Sequence, residues 1–114
     1  MLKCHCRDCQ RISGGPYTPV VYVPNRTFRV TKGTIKHFNT ASEARGEHQR
    51  GFCADCGSRL TGGEYEGSDG IGLTASSLDD PSWFKPVVDM WVGDAQPWDL
   101  MDAALPKFPK YPPR

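Results

Sequence analysis

Cys4-His5-Cys6-Arg7-Asp8-Cys9 packs three thiols and an imidazole into six residues, and Cys53-Ala54-Asp55-Cys56 holds the other two of the chain's five cysteines. Little else in the sequence is as improbable by chance. Cys-x-Cys-x-x-Cys brings three sulfurs close enough to grip one ion from a single turn. Zinc suits such donors, binding thiolate at ~2.3 Å with four tetrahedral ligands. Two arrangements follow. Some of Cys4, Cys6 and Cys9 join Cys53 and Cys56 around one sealed structural zinc, or the triad holds its own zinc and keeps a fourth position for water or substrate.

The open arrangement has distinctive chemistry. Three thiolates around Zn²⁺ leave a net charge of −1, a weaker Lewis acid than a three-histidine site. Such a site binds a substrate thiol as thiolate and leaves that sulfur nucleophilic. Lys3, Arg7 and Arg11 lie beside the triad in sequence and favour both thiolate ligands and an anionic substrate. A small anionic thiol, with making or breaking of a carbon–sulfur bond, is the chemistry this implies. His5, between two ligands, either supports the site from behind or faces the substrate. Cys53 and Cys56 read as structural ligands, because no βαβ pattern surrounds them to suggest a redox pair. His37 and His48 read as surface histidines, and Trp83, Trp91 and Trp98 as core.

Outward from the triad, Ser13-Gly14-Gly15-Pro16 dictates an exit turn. Thr18 to Val23 has strong β propensity. Thr27 to Val30 and Thr34 to Phe38 read as arms of a hairpin about Lys32-Gly33, followed by a polar loop from Asn39 to Gly46. His48 to Phe52 forms a strand that delivers the second cysteine pair, with Gly57 after it as in a metal-binding knuckle. Gly62 to Gly70 is a loop, Ile71 to Ala75 a short strand and Leu78-Asp79-Asp80-Pro81 a turn. Pro86 to Val92 is a further strand, Asp99 to Leu105 a short helix, and the tail from Pro106 is extended. The expected class is mainly β with short helices.

The whole chain of 114 residues is the size of a single domain, 1–114. Twelve Gly and ten Pro argue for turns and short strands over long helices. Fourteen basic against thirteen acidic residues give a charge of +1, which offers no attraction for nucleic acid or an anionic membrane. No apolar run approaches the ~20 residues of a membrane span. With an odd number of cysteines and no secretion signal after Met1-Leu2-Lys3, a reducing, cytoplasmic location is expected. A ligand-dense motif at the fourth residue requires that a metal pin this end or that a further strand precede it. A missing strand would leave a sheet edge able to pair two chains as a homodimer.

The two cysteine motifs, with Ser13-Gly14-Gly15, Phe52 to Leu60, Leu78-Asp79-Asp80-Pro81, Trp91, Pro97-Trp98 and Leu105 to Pro109, resemble the glutathione-dependent formaldehyde-activating enzyme family, which includes the centromere protein V-like proteins. The resemblance implies an Mss4-like zinc-binding β domain and carbon–sulfur lyase chemistry, joining formaldehyde to glutathione and reversing that reaction. Cys4, Cys6 and Cys9 match the family's open, three-thiolate zinc site. Cys53 and Cys56 match half of its structural zinc site, whose other half is an earlier Cys-x-Cys that this sequence does not contain. Arg7 and Arg11 would bind the substrate's carboxylates. The family often carries His where Asp89 stands. A non-catalytic zinc-binding module that contacts another protein is the rival expectation.

Overall fold

The computed structural model describes residues 1–42, 46–64 and 67–113. Among these, the regular elements are β1 (Leu2–Cys4), α1 (Arg7–Ser13), β2 (Thr18–Pro24), β3 (Ile35–Ser42), β4 (Gly46–Cys53), β5 (Arg59–Glu64), β6 (Gly70–Thr74), β7 (Asp89–Met90) and β8 (Lys107–Phe108), with single 3₁₀ turns between them. The protein is mainly β, as expected. No helix among the described residues is long and apolar enough to cross a membrane. The chain divides into two compact units, Met1–Val20 with Ser82–Arg114, and Val21–Pro81.

In the first unit β1 is the central strand. It pairs antiparallel with the start of β2, Cys4 opposite Thr18, and parallel with β7, Lys3 opposite Asp89 and Cys4 opposite Met90. β8 extends the ladder beyond β7, with Lys107 opposite Asp89. The buried residues here are Lys3, Cys4, His5, Cys9, Gln10, Thr18, Asp89 and Asp99. The centre of this unit is therefore thiol and polar, not aliphatic. Buried polar groups persist only when bonded, so the unit is organised by directed contacts more than by apolar packing.

The second unit is built on the hairpin β3–β4, in register from Ile35 opposite Cys53 to Ser42 opposite Gly46. β5 pairs with β4 through two register irregularities around Gly51, and β6 pairs with β5. Gly51 is required by the close approach of its neighbours. A Cβ there would strike Thr61 Oγ1 and come within 2.9 Å of Ile35 Cγ2. The buried side chains of this unit, among the described residues, are His48, Arg50, Thr61, Ile71, Thr74 and Ala75.

Several local expectations give way. Thr27 to Val30 is not a hairpin arm: Asn25 donates from its N–H to Asp69 O at 2.9 Å and from Nδ2 to Ser68 O at 2.8 Å. Those bonds tie the exit of β2 down locally, and Asn25–Thr27 turns as a 3₁₀ segment. The polar stretch from Asn39 is strand as far as Ser42, because its partner strand supplies a full ladder whatever its polarity. Pro86 to Val92 contributes only Asp89–Met90 to the sheet. Asp99 to Leu105 is not helical. Asp102 Oδ1 accepts from Ala104 N–H at 2.8 Å, and Lys107 Nζ donates to Leu105 O at 3.0 Å, so turns satisfy this backbone.

Candidate metal centre

The triad straddles a strand-to-helix junction. Cys4 closes β1, and Cys6 is the N-cap of α1, its Sγ accepting from Cys9 N–H at 3.3 Å. A thiol thereby does what Ser or Asp does at most helix starts, satisfying one unpaired donor. α1 ends at Gly14, whose φ of 72° is the left-handed conformation of a helix stop and whose N–H donates to Gln10 O. The sequence reading expected only the exit turn. Seven residues without apolar periodicity left the helix unmarked.

The three sulfurs of Cys4, Cys6 and Cys9 lie within 4.8 Å of one another. Around a tetrahedral ion bound at ~2.3 Å, ligand sulfurs stand about 3.8 Å apart, so the triad fits a metal ion with small side-chain movement. Hydrogen bonds with Cys6 and Cys9, then burial, push the Cys4 thiol well above its ordinary value. At Cys6 the hydrogen bond with Cys4 pulls the other way, yet Cys9 and burial outweigh it and the thiol is raised. Thiols this crowded resist ionising together unless a cation neutralises them, which is the behaviour of a metal donor set.

Behind the thiols lies a charge cluster. His5 is fully buried, with Nδ1 2.5 Å from Asp99 Oδ2 and Nε2 2.9 Å from Asp89 Oδ1. Both ring nitrogens of His5 are thus occupied away from solvent, which leaves neither to face a substrate. Asp89, also fully buried, meets Lys3 Nζ at 3.4 Å and Lys107 Nζ at 3.3 Å. Burial alone would raise the Asp89 carboxyl, but hydrogen bonds from His5 and Lys107 and the charge of Lys3 outweigh it and hold the group below its ordinary value. Lys3 is therefore engaged by Asp89, and stands over the Tyr17 ring at 5.1 Å, instead of being presented to a substrate.

Gln10 ties the loop to the later chain. Its Nε2 donates to His5 O at 2.7 Å and to Asp94 O at 3.0 Å, while its Oε1 accepts from Arg7 Nη1 and Gln96 Nε2. Arg7 and Arg11 are exposed on α1, and Arg11 stands 3.4 Å from Asp8. An exposed pair of that kind contributes little to stability, so Arg11 is not committed to holding the fold, whereas Arg7 is bonded to Gln10.

Cys53 and Cys56 belong to the second unit. Gly57 N–H donates to Cys53 O at 2.9 Å and Cys53 N–H to Ser58 O at 2.8 Å, forming a tight knuckle with Gly57 at φ 78°. Cys56 is exposed, and its thiol is lowered by hydrogen bonds from Ser58 and then Cys53. All five cysteines are free thiols. Elsewhere, His48 is buried, not a surface residue, while Trp83 and Trp98 are 53% and 63% exposed instead of forming core.

Sequence reasoning missed Asp99 and Gln10 as site residues and treated Asp89 only as a departure from a family pattern. For Asp89 a signal existed: a lone carboxylate inside Val87-Val88-Asp89-Met90-Trp91 is costly to bury without partners. For Asp99, beside the exposed Trp98 and Leu100, no local signal exists.

No curated protein matches the chain. The family model for the glutathione-dependent formaldehyde-activating enzyme matches residues 1–94, which include both cysteine motifs and Asp89. With most of its length matched, this chain belongs to the glutathione-dependent formaldehyde-activating enzyme family.

Proposed function

We propose that the protein is a zinc-dependent carbon–sulfur lyase that joins formaldehyde to glutathione, or to a similar small anionic thiol, and reverses that reaction. The observation that carries this reading is the cluster of three thiols within 4.8 Å of one another in a chain of this family. Cys4, Cys6 and Cys9 would hold the zinc. When bound, zinc supplies a Lewis acid that keeps a substrate thiol deprotonated and nucleophilic.

The remaining contributions come from the chain itself. Arg7 and Arg11, exposed on α1 next to the triad, attract the carboxylates of the thiol substrate. In the forward direction the substrate sulfur bonds to the carbonyl carbon of formaldehyde, and the π electrons move to oxygen, which takes a proton from solvent. The reverse breaks that carbon–sulfur bond and returns the proton. His5 keeps the thiols oriented from behind, and Cys53 with Cys56 supply two ligands of a second, structural zinc. Free thiols of this kind fit a reducing compartment such as the cytoplasm.

Exposed Trp83, Trp98 and Leu100 favour a second reading, a non-catalytic zinc module that docks on another protein. NMR of formaldehyde and glutathione mixed with the zinc-loaded chain separates the two. The expected result is exchange between free and S-hydroxymethyl glutathione well above the rate without protein. Equal rates, with zinc confirmed by metal analysis, would leave only the module or another thiol.

A further inference from the structure

Extended backbone sends successive side chains to opposite faces. β1 ends at Cys4, and Cys6 keeps extended dihedrals of φ −64° and ψ 158°. Cys4 and Cys6 thus share one face, and the residue between them projects from the other. That residue is His5, and it is held at four points. Its ring bonds Asp99 and Asp89, its N–H donates to Met90 O at 2.9 Å, and its carbonyl accepts from Gln10 Nε2 at 2.7 Å. The backbone bonds hold the main chain between the two thiols, and the two ring bonds fix the orientation of the buried imidazole as well.

We infer that Asp99 is a positioning residue for the thiol cluster: by fixing the His5 ring it sets the backbone torsions between Cys4 and Cys6 and presents their sulfurs, with Cys9, as one preorganised metal-binding face. This rests on the reading that the triad holds a metal. Asp89 shares the grip, but it also neutralises Lys3 and Lys107, so removing it disturbs much more than the ring. Asp99 meets His5 through Oδ2, while its buried Oδ1 has no hydrogen-bond partner among the described residues. Trp98 and Leu100 on either side are 63% and 94% exposed, so the carboxylate is the anchored group of this stretch. An ion held by loosely presented thiols loses affinity because ordering those thiols must then accompany binding.

The test uses the full reduced chain and Co²⁺, whose thiolate charge-transfer band reports sulfur ligation and whose visible d–d bands report geometry. Asp99→Ala is expected to weaken Co²⁺ binding on the order of 10-fold or more, within the span known for supporting partners of metal ligands. Asp99→Asn has the same shape and can bond the ring in either tautomer, so it is expected to restore binding to within about 3-fold of the wild type. Leu100→Ala is expected to leave binding unchanged. If Asp99→Ala melts earlier yet binds Co²⁺ as tightly as the wild type, Asp99 merely anchors its segment and the inference falls. Should Asp99→Ala fail to fold, Asp99→Glu decides, since it keeps the charge but displaces the carboxylate. Glu weaker than Asn supports positioning, and equal binding overturns it. A wild type that shows no charge-transfer band overturns both this inference and the zinc reading, whereas a full band in every variant overturns the inference alone.

Discussion

Cys9→Ser is expected to leave the purified chain without metal at the triad after dialysis and without acceleration of the formaldehyde–glutathione reaction. Cys9 is buried on α1, and its thiol is the one that the helix brings back toward Cys4 and Cys6. A serine hydroxyl is harder, shorter in reach and far less acidic than a thiol, so it does not replace a thiolate on a soft ion. Supporting partners of metal ligands cost about 10- to 100-fold in affinity when removed, and a ligand itself is expected to cost more than about 100-fold. The helix cap survives, because it uses Cys9 N–H and not its side chain. Metal analysis and a competition assay against a chromogenic chelator check this. A zinc content equal to wild type would show that the ion sits elsewhere.

Asp89→Ala is expected to be the most destabilising single change in the first unit. The carboxylate is fully buried, and its loss leaves His5 Nε2 without its partner and removes the counter-charge of Lys3, with a side chain 10% exposed, and of Lys107 at 30%. Breaking a buried ion pair by removing one partner costs about 3–5 kcal/mol, with Lys107 contributing least because water already screens it. Against a typical total of about 5–15 kcal/mol, that leaves little margin. Asp89→Asn is expected to lose less, because the amide keeps a hydrogen-bond acceptor in place.

The same residue predicts an acid dependence. Its folded carboxyl lies below the ordinary value, so its contribution is complete above the unfolded value of about 3.9 and is lost as pH falls through the lower, folded one. Urea melts should therefore lose stability steeply below about pH 4, and Asp89→Asn should flatten that decline. An unchanged pH profile in the variant would remove Asp89 from the account.

How much of this was legible in the sequence follows from which interactions are local. Cys4, Cys6 and Cys9 sit within six residues, so chain connectivity alone brings their sulfurs together. The strand carrying Cys53 and the Cys-x-x-Cys-Gly knuckle were readable for the same reason. Asp89 and Asp99 reach His5 from 84 and 94 residues away, and no periodicity encodes such a meeting. Asp99 to Leu105 looked helical because its composition suits a first turn and an apolar face. The buried bond to His5 and the turn at Asp102 override that local preference. Trp83 and Trp98 were expected inside on size alone, a rule that fails where the interior is built from charge and sulfur.

That interior bears on temperature. Unfolding normally carries a large positive heat-capacity change, about 12–15 cal/mol/K per residue, because apolar surface becomes hydrated while exposed polar surface subtracts from it. Among the described residues the buried apolar ones are Cys4, Cys9, Ile71 and Ala75, set against ten buried polar or charged ones. Calorimetry should accordingly return a heat-capacity increment below the ordinary range. A smaller increment flattens the curve of stability against temperature, so cooling would weaken this fold less than it weakens one packed from aliphatic side chains.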